Sequence, residues 1–449
     1  MENENKMGTM PINKLLISMS IPMVVSMLVQ ALYNIVDSIF VAQLSENALT
    51  AVSLAFPAQN FMLAFAIGTC VGVNALVSRY LGEKDKENAD KVANTGVFLC
   101  FVTALVFLIA GFFGSEIFFR AQTENEEIIR DGTIYLQICT FFSFGIFGQF
   151  IFEKLLQATG KTFHSMLAQL LGAVINIILD PIMIFGLLGF PKMGIAGAAV
   201  ATITGQILAA AVALIINIRV NKEISLSLKA ALLPSKSATA SIYKIGIPTI
   251  IMNCIGSVMT FGLNKILIRF TETAVAVLGV YFKLQSFVFM PVFGLNNAMV
   301  PIISYNYGAK KKDRLLKTIK LSILYAVGIM VTGFLMMQFF PEQMFMLFKA
   351  SQNMLSIGVP ALRIISTCFV FAGYCIIIVS AFQALGKSMF SLFVSLGRQL
   401  IILLPAAYLL SLTGNVKNVW WAFPIAELVS LTLCTAFFYH IYKKIIKDL

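Results

Sequence analysis

The sequence predicts an all-α polytopic membrane protein, with twelve transmembrane helices in two six-helix lobes related by a pseudo-two-fold axis along the membrane normal. Three observations predict it. The 449-residue chain is 59% hydrophobic and 12% charged, with a mean hydropathy of +0.87. A soluble domain is about 45–50% apolar and about 25% charged. Second, apolar runs of the ~20 residues that cross a bilayer at 1.5 Å rise per residue fill most of the chain. Third, the chain repeats itself. Pro22 answers Pro248, Gln59 answers Gln285, and Ser78 and Gly82 answer Ser304 and Gly308. Gln157, Gly160 and Lys161 of LLQATGKT answer Gln383, Gly386 and Lys387 of AFQALGKS, and every pair stands 226 residues apart. One offset held across four separated patches marks a duplicated gene whose copies fold alike.

Six spans per copy is an even number, so both copies enter the membrane in the same sense. That is the parallel-repeat arrangement of some transporters, in which a cavity between lobes faces either side by rocking. The expected lobes are residues 1–218 and 242–449, joined by a polar linker, 219–241.

In order, the first span (14–43) carries Gln30, Tyr33, Asn34 and Asp37 at i, i+3, i+4 and i+7, one polar stripe on an apolar helix. No small-residue cleavage site follows it, so it reads as permanent. Pro22 lies in the same span and costs it a backbone hydrogen bond; a packing kink and a hinge both fit. The second span (49–80) is followed by the charged run LGEKDKENADK, and the third (90–114) is apolar. The fourth (126–158) bears Tyr135, then Gln149 and Glu153 one turn apart. The fifth (163–188) bears Gln169, Asn176 and Asp180 on one face, and the sixth (194–218) bears Thr202 and Gln206. The second copy follows with 242–270 (Pro248, Lys265), 274–307 (Lys283, Pro301), 313–341, 352–385 (Arg363), 388–411 (Arg398, Pro405) and 418–444 (Glu427).

The net charge of +12 invites a nucleic-acid reading, but its distribution argues otherwise. The densest runs of Lys and Arg are in LGEKDKENADK, the linker and GAKKKDRLLK, all on one side of the membrane. That asymmetry is the positive-inside signal of an inner (plasma) membrane protein and places both termini in the cytoplasm. All seven Cys fall inside apolar spans and none forms CxxC, so neither a disulfide frame nor a zinc site is indicated. His164 and His440 lack a second ligand at metal spacing. ATGKTF has only the tail of a phosphate-binding loop. No catalytic dyad or nucleophile elbow appears, which argues against a membrane-embedded transferase or protease.

The two copies disagree in their ionisable groups. Asp37, Glu153 and Asp180 stand where the second copy has Leu263, Val379 and Ala406. Charged groups inside a membrane are expensive and by default functional. Asp37, Asp180 and Thr202 lie very roughly 8–12 Å from the outer ends of their spans, at 1.5 Å per residue. Their oxygens, with the Asn176 amide, suit a hard monovalent cation. Two carboxyl groups held together out of water suit a proton equally. Helix-to-helix hydrogen bonding is the plainer use of such groups, and Asn176, Thr202 and Gln169 suit either. Asp37 with Asp180 favours function, because a structural carboxylate wants a cation and this lobe's outer half offers none. Glu153 suits a local pair with Lys154 or a cavity role. Arg398 and Glu427, near mid-depth on successive spans, suit a structural ion pair.

The stretches YNIVDSIFVAQL, SRYLGEKD, LLQATGKTFHSML and LGAVINIILDPIMIFG, the last followed by GIAGAAVAT, resemble the multidrug and toxic compound extrusion (MATE) family over about residues 10–440. The acidic pattern is similar to its DinF-like branch, which uses an Asp in the first span and Asn-x₃-Asp in the fifth. The resemblance implies ion ligands at Asp37, Asn176, Asp180 and Thr202, and a polar substrate cavity at Gln30, Tyr33, Tyr135, Gln149 and Glu153, with Asn34 on the same stripe. It implies a secondary antiporter that exports amphipathic, often cationic, compounds against Na⁺ or H⁺, with no other cofactor, and working as a monomer in the bilayer. The nearest alternative is a lipid-linked saccharide flippase of the same superfamily, which needs a more cationic cavity than Asp37 and Asp180 provide.

Overall fold

The computed structural model describes residues 5–348 and 350–449, and among them there are helices and no strand. Among the described residues ten helices are long and apolar enough to cross a membrane. Two further pairs, Glu126–Phe141 with Phe144–Ala158 and Gln352–Ser366 with Phe369–Ala384, are bent by 44° and 52° and make twelve spans when each pair is one. The chain order is Ile12–Ala42, Glu46–Gly82, Lys86–Arg120, the first bent pair, Thr162–Phe185 and Ile195–Val220. The second set is Lys236–Leu267, Glu272–Gly308, Lys312–Phe339, the second bent pair, Ser388–Ser411 and Val416–Ile446.

The repeat seen in the sequence reappears atom for atom. Ser45 caps the second span by accepting from the Ala48 amide at 3.0 Å, and Thr271, 226 residues on, accepts from the Ala274 amide at 3.1 Å. Gly160 and Gly386 take φ of +84° and +70°. Just beyond them, Lys161 and Lys387 each donate backbone N–H to Leu156 and Phe382 at 2.7 Å. This six-to-one bond around a left-handed glycine is the Schellman ending of a helix. The repeated QATGK and QALGK motifs are therefore helix stops, and the resemblance of ATGKTF to a phosphate loop is incidental. Ser78 and Ser304 finish the same stops by donating Oγ–H to the carbonyls of Ala158 and Ala384, both at 2.9 Å. Gly132 and Gly358 are needed for packing: a Cβ there would fall 2.2 Å and 2.3 Å from the rings of Phe119 and Phe345.

Two compact units form, and they cut across the lobes expected from the sequence. Val25–Ile250 belongs to one and Met7–Val24 with Ile251–Leu449 to the other. The divisions fall inside the first and seventh spans, 226 residues apart and a few residues past Pro22 and Pro248. Hydrogen bonds explain the assignment. Arg314 Nη2 donates to the carbonyls of Met7 (2.9 Å) and Met10 (2.8 Å), and Asn306 Nδ2 to Met7 (3.1 Å), which ties the segment before the first span into the second unit. The linker is tied to the third span of the first unit. Asp90 accepts from the Ser225 amide at 2.7 Å, and Asn94 both accepts from the Ser227 amide and donates to the Ser225 carbonyl at 2.9 Å.

Candidate functional site

The first unit's fifth and sixth spans meet through glycines. A Cβ on Gly205 would lie 2.6 Å from the Gly172 carbonyl oxygen, and one on Gly172 would lie 2.9 Å from the Gly205 carbonyl. Gly197 gives the same close approach near the spans' other end, 2.5 Å from the Met183 carbonyl. Small residues let backbones touch where no hydrophobic effect pulls helices together. That approach brings the polar face of the fifth span against the sixth: Asn176 Nδ2 donates to Thr202 Oγ1 at 3.3 Å and, within its own helix, to Asp180 Oδ1 at 3.4 Å.

The first span completes the cluster. The carboxyl groups of Asp37 and Asp180 lie close enough to act on each other. Two to three turns earlier in the same two helices, Gln169 Nε2 donates to Gln30 Oε1 at 3.0 Å and ties the first span to the fifth. Asp180 is fully buried and Asn176 nearly so. Asp37 Oδ1, Asp180 Oδ2 and Asn176 Oδ1 are all buried acceptors without a hydrogen-bond partner among the described residues. Buried acceptors are normally satisfied. Three orphaned oxygens in one cluster, two of them on carboxyl groups, are what a hard cation or a shared proton would satisfy.

The substrate-cavity residues expected from the sequence divide. Gln30 and Tyr33 lie on the stripe that meets the fifth span, whereas Asn34 is exposed and its carbonyl accepts from Ser38 Oγ at 2.8 Å. Tyr135 is buried, and its hydroxyl accepts from Gln59 Nε2 at 3.3 Å. Gln59 also reaches Cys139 Sγ at 3.7 Å. Neither Gln59 nor Cys139 was expected at this site, although Gln59 was visible as a landmark of the repeat. Gln149 Nε2 donates to Glu153 Oε1 at 2.9 Å, so the buried Glu153 is answered from one turn away in its own helix. Pro22 is buried inside the unbroken helix Ile12–Ala42.

In the second unit Arg398 Nη1 donates to Glu427 Oε2 at 3.2 Å. Lys265 sits 5.1 Å from the ring centroid of Phe261, a cation–π distance. No cluster of three or more His, Cys, Asp or Glu suited to a metal occurs among the described residues.

Comparison with known proteins agrees with this architecture. The MatE family model matches residues 22–182 and 248–409, once per repeat. The chain is 26% identical over 440 residues to the FAD transporter of Shewanella oneidensis, covering 97% of this chain and 96% of that protein. It is 26% identical over 436 residues to the multidrug export protein MepA of Staphylococcus haemolyticus, covering 97% and 95%. The structure superposes with a TM-score of 0.92 on the outward-facing conformation of a multidrug resistance MATE family transporter of the MOP superfamily, at 25% identity and covering 100% of this chain and 99% of that one.

Proposed function

From the premise that the chain belongs to the MatE family, we propose that it is a cation-coupled secondary antiporter that exports amphipathic, often cationic, compounds by alternating access. The coupling ion, Na⁺ or H⁺, is held at Asp37, Asp180, Asn176 and Thr202. The observation that supports this reading is the set of three orphaned oxygens, which come from spans far apart in sequence and meet at one place. Two neighbouring carboxyl groups repel when both are ionised, and a bound cation or a shared proton relieves that repulsion. Ion entry therefore neutralises the cluster, and ion exit recharges it. A cationic substrate is attracted to the recharged state and repelled from the occupied one, which is the exclusivity an exchanger requires. The name of the Shewanella relative points to an anionic cargo; two uncompensated carboxyl groups disfavour one in this unit.

We place the protein in the cell membrane with both termini in the cytoplasm, on the asymmetry of its basic loops, and take it to work as a monomer. The test is export of a fluorescent cationic dye by proteoliposomes under an imposed Na⁺ gradient or an imposed pH gradient. One gradient drives export, and Asp37→Asn and Asp180→Asn each abolish it while purifying as monodisperse protein. Wild-type rates in both variants would refute the assignment.

A further inference from the structure

We propose that the second unit contains a binding site for a small zwitterion, an ammonium carboxylate with a short apolar side chain, seated between Arg398 and Glu427. The inference rests on the geometry of this unit alone and does not depend on which ion drives transport.

The repeat shows that something has been added here. Arg398 and Glu427 stand at the positions of Gly172 and Ala201 in the first copy, where Gly172 lies against the Gly205 backbone. In the second copy that close contact is replaced by an ion pair beside a cavity of about 120 Å³. Tyr281, Phe289, Phe369 and Phe423 wall it, and Gln285 and Gln399 add amides. The helix carrying Arg398 also departs from its counterpart: Gly397–Leu403 is a π-helical turn, whereas Thr162–Phe185 is α-helical throughout. Such turns are rare and gather at functional sites.

The ion pair is half-satisfied on both sides. Glu427 is 4% exposed, and its Oε1 is buried without a partner. Arg398 gives one N–H to Glu427, and no other hydrogen bond of its guanidinium is found among the described residues. Glu427 lies deep, whereas the Arg398 side chain is 35% exposed, so the remaining guanidinium N–H groups are open to an incoming acceptor. Both residues line the cavity. A metal cation is disfavoured by Arg398 and a simple anion by Glu427. A ligand with a carboxylate for the guanidinium and an N–H-bearing ammonium for Glu427 Oε1 complements both. Size limits the remainder: a cavity of ~150 Å³ takes the six heavy atoms of benzene, so this one, at about 120 Å³, takes about five to six and leaves room for no side chain larger than a methyl group.

L-alanine has that size and both groups. Alaninamide matches its shape but lacks the carboxylate, and L-lactate matches it but lacks the ammonium. The reporter is intrinsic, because the chain's two tryptophans are Trp420 and Trp421, immediately before the helix that carries Phe423 and Glu427. Titrating the purified transporter with L-alanine should give a saturable change in tryptophan fluorescence, with alaninamide and L-lactate each binding at least about tenfold more weakly. Glu427→Gln should weaken alanine binding at least about tenfold, and Gly114→Ala, in the other unit, should leave it unchanged. No saturable response to alanine would overturn the proposal. Equal binding of lactate would make this an anion site and equal binding of alaninamide a cation site, and either would overturn it. These isosteric probes act on the wild-type protein, so they decide the matter even if Glu427→Gln fails to fold.

Discussion

Gly205→Ala tests whether glycine contact builds the ion cluster. The new Cβ would sit 2.6 Å from the Gly172 carbonyl oxygen, about 0.8 Å inside ordinary van der Waals contact, and 3.3 Å from Asn176 Cβ. Neither obstacle is the end of a flexible side chain, so the fifth and sixth spans must part. The Asn176–Thr202 hydrogen bond starts at 3.3 Å, near the upper limit of such bonds, and a separation of even half that overlap breaks it. Overpacking of this kind costs about 1–3 kcal/mol. The protein should therefore melt several degrees lower in detergent. The stabilisation that saturating coupling ion gives should shrink as well, because Thr202 recedes from the cluster. Gly114→Ala is the control: its Cβ meets nothing within 4 Å, and it replaces a helical glycine, so it should be neutral or slightly stabilising. The assay is thermal melting of both variants with and without ion, alongside dye export. If Gly205→Ala melts and responds to ion like the wild type, close approach of these spans does not set the site.

Competition gives a second test. Affinity for a cationic drug, titrated against Na⁺ and against pH, should fall as the cluster fills, and drug should weaken ion binding by the same factor, since linkage is reciprocal; drug affinity indifferent to both would leave nothing to couple. A third test lies outside the membrane, at the cap of the third span. The Asn88 backbone N–H at 3.0 Å and its side-chain amide hold the Asp85 carboxyl below its ordinary range. A carboxyl depressed by folding adds stability above its unfolded value, and that stability is lost as pH falls through the folded one. Melting measured from neutral pH down through the carboxylate range should thus show an acid-labile component that Asp85→Asn, which still caps, removes; an unchanged acid profile in Asp85→Asn would refute the role.

Much of this molecule is local and therefore legible in sequence. Apolar runs define the spans, a constant offset defines the repeat, and helical spacing places Gln30, Tyr33 and Asp37 on one stripe and Asn176 and Asp180 on another. Each of these depends on one helix at a time. Which stripes meet is another matter, because it depends on how far apart helices stand and how they are rotated about their axes. Glycine contacts between backbones decide that: Gly172 and Gly205 set Thr202 beside Asn176. Tertiary packing alone gave Gln169 to Gln30 and Gln59 to Tyr135. It also showed that the repeated glycine–lysine motif ends helices, since a left-handed φ is invisible in a string of letters. The division into units was hidden for the same reason. Val24 and Val25 are neighbours in an unbroken helix, and only the partners each half finds in space assign them to different bodies. Arg398 and Glu427 could be paired from depth and span order, but the cavity beside them could not be foreseen. A void is a property of what surrounding helices fail to fill, and no residue in the sequence encodes it alone.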